Sequence, residues 1–423
     1  MVSMALPYDP EALLHRDPIQ GLFDLALNLA PPWKVVGFSF DPDGRRLDID
    51  LDFERGARFT CPECGADGCP VHDTEDKEWR HLNFFQHEAY LHARVPRARC
   101  DRCGVRLVGV PWSRKGSPFT LLFEALTMAM MREMPVRATG KIVGEHDTKL
   151  WRVLHHYVDT ARAKEDFSQV RKVGVDETSH RRGHDYVTLF ADLERSQVLF
   201  ATPGRDSSTV ERFKEDLEGH GGAATQVTEF TMDMSEAFRK GAVEHFQKAE
   251  MTVDRYHIVQ QLNEAMDEIR RVEQRRSPEL KGSRYSWLKR SGKLTDQQRQ
   301  ELDEHRRRCR TMGRAYEFKL EFEDFWEKPN DSEEAEAFLA DWCLRVWESS
   351  MPIEPLKVLA DTLVRNWERV LHWFESRIGT GILEAINSLV QAAKRRARGY
   401  RSTRNYIAMI YMTAGKLSFD LPT

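Results

Sequence analysis

Four cysteines in two matched pairs constrain this chain more tightly than any other feature. Cys61 and Cys64 flank Pro-Glu, Cys100 and Cys103 flank Asp-Arg, and each pair is followed at once by glycine, Gly65 and Gly104. A Cys-x-x-Cys-Gly turn aims backbone N–H groups at its own sulfur atoms, and glycine permits the φ > 0 conformation that the turn needs. Two such knuckles together offer four thiolates, the ligand set of a structural Zn2+ site. Between them Glu78 to Val95 alternates like paired strands and closes a ribbon, so a zinc-binding module is expected over residues 55-116. Cys69 and His72 stand as a minor alternative, replacing one knuckle or building a second site.

At 423 residues the chain has room for two to four domains. Ahead of the cysteines, Trp33 to Asp41 and Arg46 to Phe53 alternate around Asp41-Pro42-Asp43-Gly44, a hairpin signal that with an N-terminal helix fills residues 1-54. Behind them, apolar periodicity predicts helices over Phe119 to Met134, Val136 to Val143 and Thr148 to Ala163, broken at Pro135 and at Gly144-Glu145-His146-Asp147. Three short helices in that order predict a helix-turn-helix domain, 117-165, whose third helix enters the major groove of DNA. Lys149, Arg152, His155 and His156 are its candidate contacts.

A formal charge of -4 argues against a nucleic-acid partner on average, because phosphate neutralisation calls for a basic surface. The local distribution outweighs that average. Arg80 to Lys115 carries eight basic residues against two acids, and Lys394 to Arg404 carries six against none. No apolar run approaches the roughly 18 residues of a membrane span, and Leu22 to Ala30 is interrupted by Asp24 and Asn28, unlike a signal peptide. A cytoplasmic protein with no membrane partner is the expectation. Neither a phosphate-cradling glycine loop nor a Ser/His/Asp pattern occurs, which argues against ATP use and acyl chemistry.

Later in the chain, three acids sit at structurally marked places. Asp176 closes the apolar run Val173-Gly174-Val175, and two further β-type runs follow, Tyr186 to Asp192 and Gln197 to Ala201, which reads as a meander. A helical pattern from Ser208 to Leu217 leads to Phe230-Thr231-Met232, which delivers Asp233. Glu384 lies in the first turn of a helix whose stripe continues through Asn387, Gln391, Lys394 and Arg398, beside an apolar stripe of Leu383, Ile386, Val390, Ala393 and Ala397 that packs on the sheet. Lys394, Arg395, Arg398 and Arg401 are candidate phosphate contacts. The rivals are Asp185, Asp192 and Asp206, with Glu375 competing against Glu384; Glu177 points to the opposite strand face. Asp254 and His257, following Met251-Thr252-Val253, read equally as a hydrogen-bonded pair at a turn and as neighbours of the acids. Leu262 to Arg377 reads as an all-helical insertion with a Thr295-x-x-Gln298 cap, breaks at Pro278, Pro329, Pro352 and Pro355, and many aromatics, among them Tyr285, Trp287, Trp342 and Trp347, that at helical spacing are mostly core. Its Arg270, Arg271, Arg275, Arg276, Arg284, Lys289 and Arg290 are further candidates for contact with the DNA backbone or a flanking end.

This order of motifs resembles the insertion-sequence transposases of the ISL-three type, within the wider DDE transposase group. The resemblance covers nearly the whole chain and rests on Cys61-Pro-Glu-Cys64-Gly, Cys100-Asp-Arg-Cys103-Gly, Val173-Gly-Val-Asp176-Glu-Thr, Met232-Asp233-Met-Ser, Gly381-Ile-Leu-Glu384-Ala-Ile-Asn387-Ser and the tail from Lys394 to Arg401. Asp254-Arg-Tyr-His257 is similar to a D-x-x-H signature of several transposase groups. The resemblance implies a multidomain α+β chain: an N-terminal β-hairpin and zinc-ribbon module, a helix-turn-helix domain, and an RNase H-like α/β catalytic domain, 166-262 and 378-423, interrupted by an all-helical insertion, 263-377. It implies Asp176, Asp233 and Glu384 as catalytic ligands of two Mg2+ ions, with Mn2+ able to substitute, and His257, Asp254 and Asn387 near them. Terminal inverted repeats and target DNA are the expected double-stranded partners, and synapsis of two ends implies a homodimer. The competing reading is a catalytically inactive zinc and helix-turn-helix DNA-binding regulator of transposase origin.

Overall fold

A computed structural model describes residues 17–181, 185–379 and 381–422. The chain divides into two compact units, Met1–Tyr157 with Phe419–Thr423, and Val158–Ser418.

The first unit is built on a sheet. Helix α1 (Pro18–Ala26) starts where the Asp17 side chain accepts from the Ile19 N–H. Strands β1 (Trp33–Asp41), β2 (Arg46–Phe53), β3 (Arg58–Phe59), β4 (Cys69–Phe84), β5 (His87–Cys100) and β6 (Gly104–Leu107) follow, in the order β1-β2-β5-β4-β3 with β6 on β5. The predicted hairpin forms, pairing Trp33 with Phe53 and Asp41 with Arg46 across one register shift between Val35 and Gly37. β2 pairs in parallel with β5, however, so the expected boundary at 54/55 falls inside one continuous sheet. The reason is apolar cover: a two-stranded hairpin cannot bury Leu47, Ile49 and Leu51 by itself, and here they share a core with Leu91, Val95, Trp79 and Trp112. Asp24, which interrupts the first apolar run, is buried and accepts from the Val35 N–H at 2.7 Å, tying α1 to β1.

Three helices continue the unit: α2 (Leu121–Glu133), α3 (Val136–Val143) and α4 (Asp147–Arg162). Thr120 caps α2 by accepting from the Phe123 N–H, and α3 stops at Gly144, whose φ of 75° is left-handed. The buried Glu124 carboxylate holds the bundle together by accepting from Arg114, Ser117 and Tyr157 at 2.9, 2.6 and 2.9 Å.

In the second unit β7 (Lys172–Arg181), β8 (Asp185–Asp192) and β9 (Gln197–Pro203) form the expected antiparallel meander. After α5 (Ser208–Gly219), β10 (Glu229–Met232) adds in parallel to β7, and after α6 (Glu236–His245), β11 (Glu250–Val253) adds in parallel to β10. The sheet order is β11-β10-β7-β8-β9. One face buries Val173, Val175, Phe190 and Phe230 against Phe213 and Phe246, with the Phe190 and Phe213 rings stacked at 4.3 Å.

The chain then runs through α7 (Arg255–Glu273), α8 (Arg284–Leu288), α9 (Asp296–Arg308), α10 (Arg310–Phe325), α11 (Ser332–Glu348), α12 (Glu354–Arg365), α13 (Trp367–Leu371) and α14 (Trp373–Ser376). Their core joins Leu262, Trp287, Phe318, Phe322 and Trp342, and the capping box at Thr295 and Gln298 is present. Tyr285 and Trp347 are 69 and 39 % exposed instead of core. Pro355 sits in the first turn of α12, where a missing N–H costs nothing, instead of breaking a helix. Arg270 is buried against Asp267, while Arg271 and Arg284 reach the same carboxylate from largely exposed positions. Helices α15 (Gly381–Arg396) and α16 (Thr403–Ala414) complete the unit. No helix among the described residues is long and apolar enough to cross a membrane.

Candidate metal centres

The four thiols converge. One ligand atom from each of Cys61, Cys64, Cys100 and Cys103 lies within 4.8 Å of every other, and the Cys64 and Cys100 sulfurs are 3.6 Å apart. Sulfurs around a tetrahedral Zn2+ at about 2.3 Å are expected roughly 3.8 Å from one another, so the set fits that ion. Gly65 and Gly104 adopt φ of 70 and 74°, as the knuckle turn requires. The backbone N–H groups of Cys103 and then Arg102 hold the Cys100 thiol down to about 6. Cys69 points its thiol at the Ala66 carbonyl, 3.4 Å away, and His72 faces Arg99 at 2.8 Å. Neither belongs to the four-sulfur group, so the alternative pairing is set aside. Asp48, Glu78 and His92 also lie within 4.8 Å of one another, but the Arg46 guanidinium already bridges the two carboxylates at 2.7 and 2.9 Å.

In the second sheet, parallel register brings two of the three marked acids together. Phe230 lies opposite Val173 and Thr231 opposite Gly174, so Asp233 and Asp176 occupy matching positions just past that pairing, on the same face. Met232 is likewise paired with Val253, which places Asp254 next in the row. Each acid is held locally: the Glu177 N–H donates to Asp176 at 2.7 Å, the Ser235 N–H to Asp233 at 2.8 Å, and the Tyr256 N–H to Asp254 at 2.8 Å, where Asp254 caps α7. His257 Nε2 stands 3.7 Å from Asp176 and 4.0 Å from Asp254.

Electrostatics reflect this crowding. Burial, with a smaller contribution from Asp176, pushes the Asp233 carboxyl up against the opposing pull of the Ser235 N–H and His257. Burial lowers the His257 imidazole, but the Asp176 carboxylate facing it, aided by Asp254 and Asp233, prevails and the net direction is upward. Glu177 is pushed up to about 7, first by burial and then by the charge of Asp233. Alternation along β7 sets its side chain on the opposite strand face, yet the charges of Asp233 and Asp176 still reach it. Arg369 of α13 is a second residue that sequence reasoning missed. It is electrostatically coupled to Asp233 and Glu236, and its Nη1 is buried with no hydrogen-bond partner. No sequence pattern links it to the acids, because helices far along the chain deliver it.

Helix α15 lies on the sheet as its apolar stripe predicted, with Leu383, Ile386, Val390 and Ala393 buried. Gly174 makes room for it: a Cβ there would stand 2.9 Å from Leu383 and 2.7 Å from Leu193. The polar stripe also touches β7. Asn387 donates to Asp176, Gln391 to Thr178, and Lys394 to the Ser179 carbonyl and, at 3.0 Å, its hydroxyl. Lys394 is therefore engaged by the sheet, while Arg395, Arg398 and Arg401 are exposed. Glu384 is exposed one turn before Asn387, and among the described residues it forms no tight ligand cluster with Asp176 and Asp233. The rivals have other partners: Asp192 accepts from the Glu194 and Arg195 N–H groups, Asp206 from that of Ser208, Asp185 faces His180, and Glu375 faces His372. On α4, Arg152 and His156 are exposed and His155 is half-buried, whereas Lys149 is paired with Glu145 at 2.8 Å.

Comparison with known proteins agrees module by module. Residues 57–103 match the zinc-finger of transposase IS204/IS1001/IS1096/IS1165, residues 109–158 the helix-turn-helix domain of transposase family ISL3, and residues 173–410 the DDE family of the same group, described as transposase. The transposase for insertion sequence element IS1001 of Bordetella parapertussis is 28% identical over 388 residues, spanning 88% of this chain and 92% of that relative. The transposase for IS1557 of Mycobacterium tuberculosis (strain CDC 1551 / Oshkosh) is 25% identical over 373 residues, 80% of this chain and 81% of the relative. A thiolate module, a helix-turn-helix and a DDE domain in this order make up a DNA-binding transposase. The chain belongs to the ISL3 family of transposases. Membership implies an enzyme that cleaves DNA and transfers strands.

Proposed function

We propose that the β7–β11 sheet is an RNase H-like catalytic domain, interrupted by the helices α7 to α14, in which Asp176, Asp233 and Glu384 hold a pair of Mg2+ ions. The observation that carries this reading is the parallel register setting Asp176 beside Asp233. Two carboxylates about 4 Å apart repel by roughly 4 kcal/mol at an effective dielectric near 20, and burial already disfavours ionisation of Asp233. A divalent cation relieves both costs, so the residues fit the ion. When bound, paired cations activate water or a 3′-hydroxyl and stabilise the leaving oxygen of an in-line displacement at phosphorus. Asp176 and Asp233 would hold the ions at that end of β10, His257 orients Asp176, and Glu384 would complete the ligand set from the first turn of α15. The helix-turn-helix presents Arg152, His155 and His156 to the terminal inverted repeats, and Arg395, Arg398 and Arg401 meet phosphates of terminal or target DNA. Two copies act together, one on each end.

A pre-cut terminal end mixed with target DNA and Mg2+ tests this. Joined product is expected from the wild type, with Asp176→Ala, Asp233→Ala and Glu384→Ala each losing on the order of 10³-fold, equivalent to several kcal/mol of metal-borne charge stabilisation. Retained joining in any of the three variants removes that residue from the catalytic set. Cleavage of branched DNA without joining would instead support a junction nuclease.

A further inference from the structure

Asn387 is placed differently from the other polar residues of its stripe. Gln391 donates to the Thr178 hydroxyl at 2.5 Å and Lys394 to the Ser179 hydroxyl at 3.0 Å, so these two already tether α15 to β7. Asn387 faces the carboxylate itself: its Nδ2 donates to Asp176 Oδ2, while its Oδ1 is buried with no hydrogen-bond partner. A buried acceptor left unpaired costs about 1–3 kcal/mol, and such atoms in native structures mark an unfilled role, often an ion or its water.

We propose that Asn387 is a neutral oxygen ligand of the divalent cation held by Asp176. The inference rests on the reading of Asp176 as a metal ligand. Side-chain carbonyls of Asn are ordinary ligands of hard cations. A neutral donor suits this position, because Asp176, Asp233 and Glu177 already crowd negative charge where β10 ends beside β7. The last torsion of an Asn side chain is broad and roughly two-fold. Turning the carboxamide about it exchanges the N–H directed at Asp176 for a carbonyl directed at a cation there, with no movement of α15.

Mn2+ binding to the full-length, zinc-loaded protein, followed by the loss of the free-ion paramagnetic resonance signal, tests the assignment without reference to activity. Asn387→Leu should weaken Mn2+ binding roughly 10- to 100-fold, and Asn387→Asp should retain or tighten it. Both variants should keep the wild-type circular dichroism in magnesium-free buffer, and Asp176→Asn should abolish the same binding event. Wild-type Mn2+ affinity in Asn387→Leu, with binding lost in Asp176→Asn, overturns the role of Asn387 and leaves the metal site standing. Wild-type affinity in Asp176→Asn overturns both. Should Asn387→Leu not fold, Asn387→Asp decides alone: binding weaker than wild type means that residue 387 serves only as a hydrogen-bond donor to Asp176.

Discussion

The two candidate metal centres are assembled in opposite ways. All four thiols come from two four-residue turns that the antiparallel pairing of β3 with β4 and of β4 with β5 sets side by side, and they stand within coordination reach of one another. The carboxylate centre draws Asp176 and Asp233 from neighbouring strands but Glu384 from a helix that follows some 150 residues of intervening chain, and only the two strand acids meet. A local ligand set is positioned by its own backbone. A dispersed one depends on every packing contact between its elements.

Zinc removal should expose the largest difference. Structural Zn2+ contributes about 10–16 kcal/mol to the folding of small modules, so stripping it with a strong chelator should collapse hydrogen-exchange protection over residues 55 to 110 and leave β7 to β11 protected. Unchanged protection around the cysteines would erase the contrast. The next largest effect is at Gly174, where the dispersed centre relies on close approach of helix to strand. Gly174→Val should drive Leu383 off the sheet at a cost of roughly 1–3 kcal/mol. The accompanying displacement of α15 should slow strand joining about 10²-fold. A variant that joins ends at the wild-type rate would show that α15 is not held by this contact.

Legibility in the sequence followed the same division. The knuckles, the hairpin, the meander and the three short helices were readable because each is fixed by turns and periodicities a few residues long. The apolar stripe of α15 was readable for the same reason. Pairing of β2 with β5 was not, since parallel register carries no local signature and merges two segments that look independent. Neither Arg369 beside Asp233 nor Asn387 as the α15 group that touches Asp176 could be deduced from spacing alone. Lys394 illustrates the limit most clearly: helical spacing correctly put it on the stripe of Glu384, but that stripe faces a strand whose hydroxyl and carbonyl claim the ammonium.

The smallest effect is expected from Glu177, and its sign separates the two centres. Burial and the Asp233 charge raise this carboxyl from 4.5 to about 7, so the folded state binds its proton more tightly than the unfolded chain. Between about pH 4.5 and 7 the unfolded chain has already lost that proton, and stability therefore falls as pH rises through this window. Glu177 is only half-buried, so solvent screening keeps the slope small. Melting temperatures of the zinc-loaded protein in magnesium-free buffer should decline across the window, and Glu177→Gln should remove part of the decline. Saturating Mg2+ should flatten it in the wild type too, because a cation among Asp176, Asp233 and Glu177 offsets the repulsion that raises the carboxyl. An identical slope in Glu177→Gln would mean that the crowding of charge where β10 ends beside β7 is carried by Asp233 and Asp176 alone, leaving Glu177 outside the carboxylate centre.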